Sequence, residues 1–107
     1  MTRDELLIFM QNLAASELKL MQAKNADYAG EDGSSPFKNF LVCERLGICQ
    51  AEVGILVRLC DKFARLIHLV QGQVPQVKDE RRADTVQDAR NYLGLLEAYL
   101  QSKGETK

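Results

Sequence analysis

Gln50-Ala51-Glu52-Val53-Gly54-Ile55-Leu56-Val57-Arg58-Leu59-Cys60-Asp61-Lys62-Phe63-Ala64-Arg65-Leu66-Ile67-His68-Leu69-Val70 reads as one long helix. Val53, Leu56, Val57, Cys60, Phe63, Ala64, Ile67 and Val70 recur at steps of three and four, the repeat of a helix face and not the alternation of a strand. Their stripe is wide, and a helix apolar over more than half its circumference belongs in the middle of a bundle or in an oligomer interface. Arg58, Asp61, Lys62 and Arg65 share one face of this otherwise apolar helix. Charge on such an element is costly unless it is paired or put to use.

Outward from this helix, the rest of the chain also reads as helical. Thr2-Arg3-Asp4-Glu5 has capping-box spacing and opens a first helix. Leu6, Phe9, Met10, Leu13, Leu20 and Met21 keep helical spacing behind it, to about Asn25. Ala29-Gly30-Glu31-Asp32-Gly33-Ser34-Ser35 is a loop. Ser35 as cap and Pro36 as first helical residue predict a short helix carrying Phe37, Phe40, Leu41 and Leu46, stopped by Gly47. Gly72 and Pro75 end the long helix. A last helix is expected from near Asp79, with acids at its N-terminus as the macrodipole prefers and a core face of Thr85, Val86, Ala89, Tyr92, Leu93, Leu96 and Leu100. Strand alternation, internal repeats and low-complexity segments are missing. The expected fold is all-α, a single domain over 1–107, a small bundle of about four helices that forms a homo-oligomer.

At 107 residues one domain is the natural reading. The net charge of −1 disfavours a nucleic-acid partner, since nonspecific binding rests on uncompensated Lys and Arg. Leu46 to Val53 has the look of a helix-turn-helix corner, but Gly54-Ile55-Leu56-Val57 would be the reading surface, and these residues want burial. Cys43, Cys49 and Cys60 are odd in number and fit no zinc spacing, with His68 the one histidine, so reduced thiols are expected. No basic-then-apolar leader opens the sequence, and the longest apolar run, Gly54 to Leu59, is broken by Arg58. A soluble cytoplasmic protein with no membrane partner is expected.

Two stripes carry the candidate chemistry. Glu80, Asp84 and Asp88 stand four residues apart, with Asn91 continuing their face. Like charges at that spacing cost roughly 0.2–0.5 kcal/mol per pair, a sign that a bound cation reverses. Carboxylates, water and substrate phosphates make the normal Mg²⁺ shell. Arg58 and Arg65 offer planar forks for phosphate and Lys62 a point charge, while Asp61 is a metal ligand or an internal counter-ion. The plainer alternatives are a solvated acidic face and an inter-helix salt-bridge network joining the two stripes. Around the first loop, Tyr28, Phe37 and Phe40 can stack on a base, with Asn25, Asp27 and Asn39 at its edge. Helix capping and core packing are the alternatives there, and core is favoured for Phe37 and Phe40. His68, near a helix C-terminus, builds no catalytic constellation, and no glycine-rich phosphate loop is present.

Lys24-Asn25-Ala26-Asp27-Tyr28-Ala29, Ser35-Pro36-Phe37-Lys38-Asn39-Phe40, Arg58 through Leu66, Val77-Lys78-Asp79-Glu80, Asp84, Asp88, Asn91 and Tyr92 occur in this order. Together they resemble the nucleotide modification associated domain of phages and bacteria. That family's pattern is Lys-Asn-x-Asp-Tyr-Gly, Asp-Pro-Phe-x-Asn-Phe, Arg-x-x-Asp-Lys-x-x-Arg-Leu, then Val-Lys-Asp-Glu with Asp-x-x-x-Asp and Tyr. Here Ala29 and Ser35 replace its Gly and Asp. The resemblance covers about residues 20–100. A more distant similarity is to the MazG-like all-α nucleotide pyrophosphohydrolases, whose Glu-Glu-x-x-Glu helix this chain lacks.

The resemblance implies nucleotide binding by Lys24, Asn25, Asp27, Tyr28, Phe37, Asn39, Arg58, Lys62, Arg65, Asn91 and Tyr92. It also implies Mg²⁺, with Asp61, Glu80, Asp84 and Asp88 as ligands and catalytic groups. The activity it suggests is Mg-dependent pyrophosphohydrolysis of a nucleoside triphosphate, or an accessory role in nucleotide or DNA-base modification. Two other classes stand beside it: a non-catalytic protein that sequesters a nucleotide or cyclic nucleotide against host defence, and a structural oligomer or protein inhibitor.

Overall fold

In the computed structural model, which describes residues 1–29, 35–72 and 81–104 (the side chains of 24–29 excepted), the first helix opens as its sequence dictates. The Thr2 amide donates to Glu5 Oε2 at 3.0 Å, and the Glu5 amide donates to Thr2 Oγ1 at 3.1 Å. This reciprocal pair satisfies two amides that a helix start leaves open. Helix α1 then runs Arg3–Ala29, past the expected end near Asn25. The reason is local: neither glycine nor proline interrupts the chain before Gly30. Leu6, Leu7, Ile8, Phe9 and Met10 are all exposed on it.

Three further helices follow, α2 (Lys38–Arg45), α3 (Ala51–Val70) and α4 (Arg82–Ser102), with no strand among the described residues. The chain forms two compact units, Met1–Pro36 with α1 and Phe37–Lys107 with α2, α3 and α4. The all-α class is as expected, while several boundaries move. Pro36 and Phe37 form a turn, and Phe37 caps α2, so Pro36 is not its first residue. Arg81 is extended and caps α4, so that helix begins later than Asp79, which lies outside the described residues.

Gly47 does stop α2, through a specific geometry. Its φ is +71°, its amide donates to the Glu44 carbonyl at 3.0 Å, and the Ile48 amide donates to the Cys43 carbonyl at 3.0 Å. The two bonds make a Schellman motif, which needs a left-handed residue at this point and so favours glycine.

In the second unit α3 packs on both α2 and α4. Contacts between α3 and α4 step in opposite directions along the chain: Glu52 meets Lys103, Arg58 meets Tyr92, and Lys62 meets Asp88. The two helices are therefore antiparallel. Phe40, Ala51, Ile55, Leu59, Ala89, Tyr92, Leu95 and Tyr99 form the core, with Phe37, Leu41 and Leu96 packed against it. From α2, Phe37 sets its ring edge-on to Tyr99 at 5.1 Å and Phe40 meets Tyr92 at 6.4 Å. Such contacts contribute about 0.5–1.5 kcal/mol each beyond burial.

The wide apolar surface expected of α3 is not the part that its own unit buries. Ala51, Ile55 and Leu59 point inward, while Val53, Leu56, Val57, Cys60, Phe63, Ile67 and Val70 are exposed. Helical spacing finds an apolar face but cannot choose between two on one helix. The choice is made by neighbours: Phe40 lies over Gly54, and Tyr92 and Tyr99 join Ala51 and Ile55 in one core. On α4, Thr85, Ala89 and Tyr92 are buried as expected. Leu95 and Tyr99 are buried too, in place of Leu93, which is exposed, and of Val86 and Leu100, which are half-buried.

Candidate functional site

Arg58, Lys62 and Arg65 lie on successive turns of α3, and the antiparallel register carries Arg58 past Tyr92 and Lys62 past Asp88 of α4. The Lys62 ammonium pairs with Asp88 Oδ2 at 3.1 Å, with both side chains partly shielded from solvent. The Arg58 Nε donates to the Tyr92 hydroxyl at 3.3 Å, and its guanidinium sits 5.9 Å from the centre of that ring. The Tyr92 ring itself is core, so the hydroxyl alone serves the seam. The basic and acidic stripes thus meet at the Lys62–Asp88 pair.

Asn91 adjoins this junction, one turn from Asp88. Its Oδ1 is shielded from solvent and meets no hydrogen-bond donor among the described residues. A buried acceptor left this way costs about 1–3 kcal/mol, which a donor group would recover. Asp61 and Asp84 are exposed. Glu80, the first acid of the stripe, lies outside the described residues. Among those residues no three His, Cys, Asp or Glu side chains gather as a metal group needs. Asp88 moreover already has a cation against it.

Phe37 is half-buried against Tyr99, and Asn39 is exposed on α2. Lys24, Asn25, Asp27 and Tyr28 lie on the last two turns of α1, continuing the helix where a helix end and loop were expected, and their side chains lie outside the described set.

A second polar cluster, unforeseen from the sequence, ties the far end of α4 to the start of α3. Glu44 Oε1 accepts from the Ala51 amide at 2.8 Å and from the Tyr99 hydroxyl at 3.3 Å. It thereby caps α3 from a neighbouring helix, where Gln50 supplies no side-chain cap. Lys103 binds Glu52 and lies 5.4 Å from the centre of the Tyr99 ring. The Lys103 hydrogen bond, helped by the Glu52 backbone amide, outweighs burial and holds the Glu52 carboxyl below its ordinary range. Burial, then the Glu44 charge, pushes the Tyr99 hydroxyl up. Beside this cluster a shallow, open depression of about 440 Å³ is lined by Glu44, Gly47, Cys49 and Gln50. Nothing in the local sequence announces Glu44 as a cap, because it stands seven residues before its amide.

No helix among the described residues is long and apolar enough to cross a membrane. The chain matches no protein-family model, no curated protein and no solved structure.

Proposed function

We propose that this chain binds a nucleotide through its phosphates at the α3–α4 seam and does so as a homo-oligomer, in line with the resemblance to the nucleotide modification associated domain. The observation that carries the reading is the Lys62–Asp88 pair at 3.1 Å, where the basic and acidic stripes meet. In this reading a phosphate takes the place of the Asp88 carboxylate as the partner of Lys62. Arg58 and Arg65, one turn to either side, supply forked donors for its remaining oxygens. Asn91 offers an acceptor for an amino or hydroxyl group of the ligand.

Two forms of this function differ in the fate of the bound nucleotide. In a pyrophosphohydrolase, acids of α4 with Glu80 and Asp61 would hold Mg²⁺, which would orient the phosphates and stabilise developing charge. In a sequestering protein the same acids only set the resting charge of the seam. The test is a thermal-shift and calorimetric screen of nucleoside triphosphates and cyclic dinucleotides, with and without Mg²⁺. A ligand of the native state raises the melting temperature. Binding that falls at least about tenfold in Arg58→Ala/Arg65→Ala supports the seam. Turnover lost in Asp84→Asn/Asp88→Asn with binding retained supports the enzyme. Binding without turnover supports the sequestering form, and no shift with any nucleotide refutes both.

A further inference from the structure

The outward face of α3 has a regularity of its own. Val53, Leu56, Cys60, Phe63, Ile67 and Val70 alternate steps of three and four along the whole helix without a slip. These are the a and d positions of a heptad, the spacing that accepts the knobs of another helix. All six are exposed, and the five other than Cys60 range from 43% for Val53 to 69% for Val70, which decides the area on offer. On one flank Val57, Ala64 and Gln71 carry no charge, and on the other the one charged residue, Glu52, is already paired with Lys103. The inward face uses a different set, Ala51, Ile55 and Leu59, so α3 has two seams and only one is filled within the second unit.

We propose that the outward seam closes on the same seam of a second copy of this chain, with the two α3 helices antiparallel. One register uses every a and d residue with none overhanging. Val53 lies against the second copy's Val70, Leu56 against the second copy's Ile67, and Cys60 against the second copy's Phe63. The smallest side chain of the stripe then faces the largest, which evens the layers. In a parallel pair Cys60 would face its twin and Phe63 its twin, leaving one layer hollow and the next overfilled. Antiparallel helix dipoles also attract where parallel ones repel. At these exposures the stripe presents on the order of 500 Å² per copy, and about 1,000 Å² in total reaches the lower bound of a specific interface. A contiguous apolar patch of this size stands toward the upper end of what a monomer exposes, where such patches are often functional. The pairing deepens the oligomer part of the proposed function and uses none of the phosphate-holding groups, so the two fail separately.

Sedimentation of the full chain, with no nucleotide added, tests the pairing. A dimer that Phe63→Glu weakens by about 100-fold, with circular dichroism unchanged, supports it. Ile48→Glu, an exposed apolar site off the stripe, leaves that dimer intact. The register is read in a Cys43→Ser/Cys49→Ser background with oxidised glutathione. Adding Phe63→Cys yields a covalent dimer through Cys60 and the new thiol, while Cys60 alone yields none. A chain that stays monomeric at about 100 μM, well above the range of a specific dimer, overturns the pairing. So does an oligomer indifferent to Phe63→Glu, and efficient cross-linking by Cys60 alone overturns the antiparallel register.

Discussion

Glu44 meets two donors with one carboxylate oxygen, so losing this side chain breaks two links at once. Glu44→Ala strips the cap from α3 and leaves the Tyr99 hydroxyl without its acceptor. The expected loss is about 1–3 kcal/mol, read as a lowered urea midpoint. Tyr99→Phe removes one of the two bonds and costs about 1 kcal/mol. Its hydroxyl is raised in the folded state, so this group's stability is whole below its unfolded value of about 10 and drains as the pH rises through the folded one. Tyr99→Phe should flatten that alkaline limb. Glu52 works the other way. Its carboxyl is depressed by Lys103, so its contribution is present above the unfolded value of about 4.3 and is lost as the pH falls through the folded value. Glu52→Gln should weaken the fall of the unfolding midpoint as the pH drops below the ordinary carboxylate range. Cys49 offers a kinetic check. Burial, then Cys43 and Glu44, raise its thiol, and alkylation of Cys49 should quicken in Cys43→Ala.

At the level of helices, Ile55 holds the junction of α2, α3 and α4, and among the described residues it is the largest side chain wholly withdrawn from solvent. Ile55→Ala should cost about 2–5 kcal/mol in chemical unfolding. Val57→Ala, an equally apolar position on the outward face, should cost the isolated subunit under about 1 kcal/mol. The contrast bears on how far the sequence could be read. Existence and type of the helices were legible, because the Thr2–Glu5 box, the apolar spacing and Gly47 are all local signals. The inward face of α3 was not, because Val53-to-Val70 and Ala51-to-Leu59 both satisfy helical spacing. Which one is used depends on aromatic rings from α2 and α4. The charged seam was half legible. The stripes follow from spacing on each helix, but Lys62 meeting Asp88 requires the antiparallel register, and that comes from long-range packing. The Glu44 cap was illegible for the same reason.

For the molecule as a whole, the Lys62–Asp88 contact separates a brace from a binding site by its energetics. The pair is partly shielded, so Asp88→Asn should change stability by about 1 kcal/mol or less. If Lys62 serves a phosphate, removing its competitor should tighten nucleotide binding while leaving the melting temperature of the free protein nearly still. Calorimetry against a nucleoside triphosphate in low and high salt reads this directly. The Glu44 bridge has a further consequence for how the unit opens. One carboxylate holds the first amide of α3 and the last aromatic of α4, residues far apart in the chain. Undocking the end of α4 therefore loosens the start of α3 in the same event. Deuterium uptake at the single Ala51 amide becomes a gauge of that distant undocking, rising in Tyr99→Phe although the altered group lies on another helix.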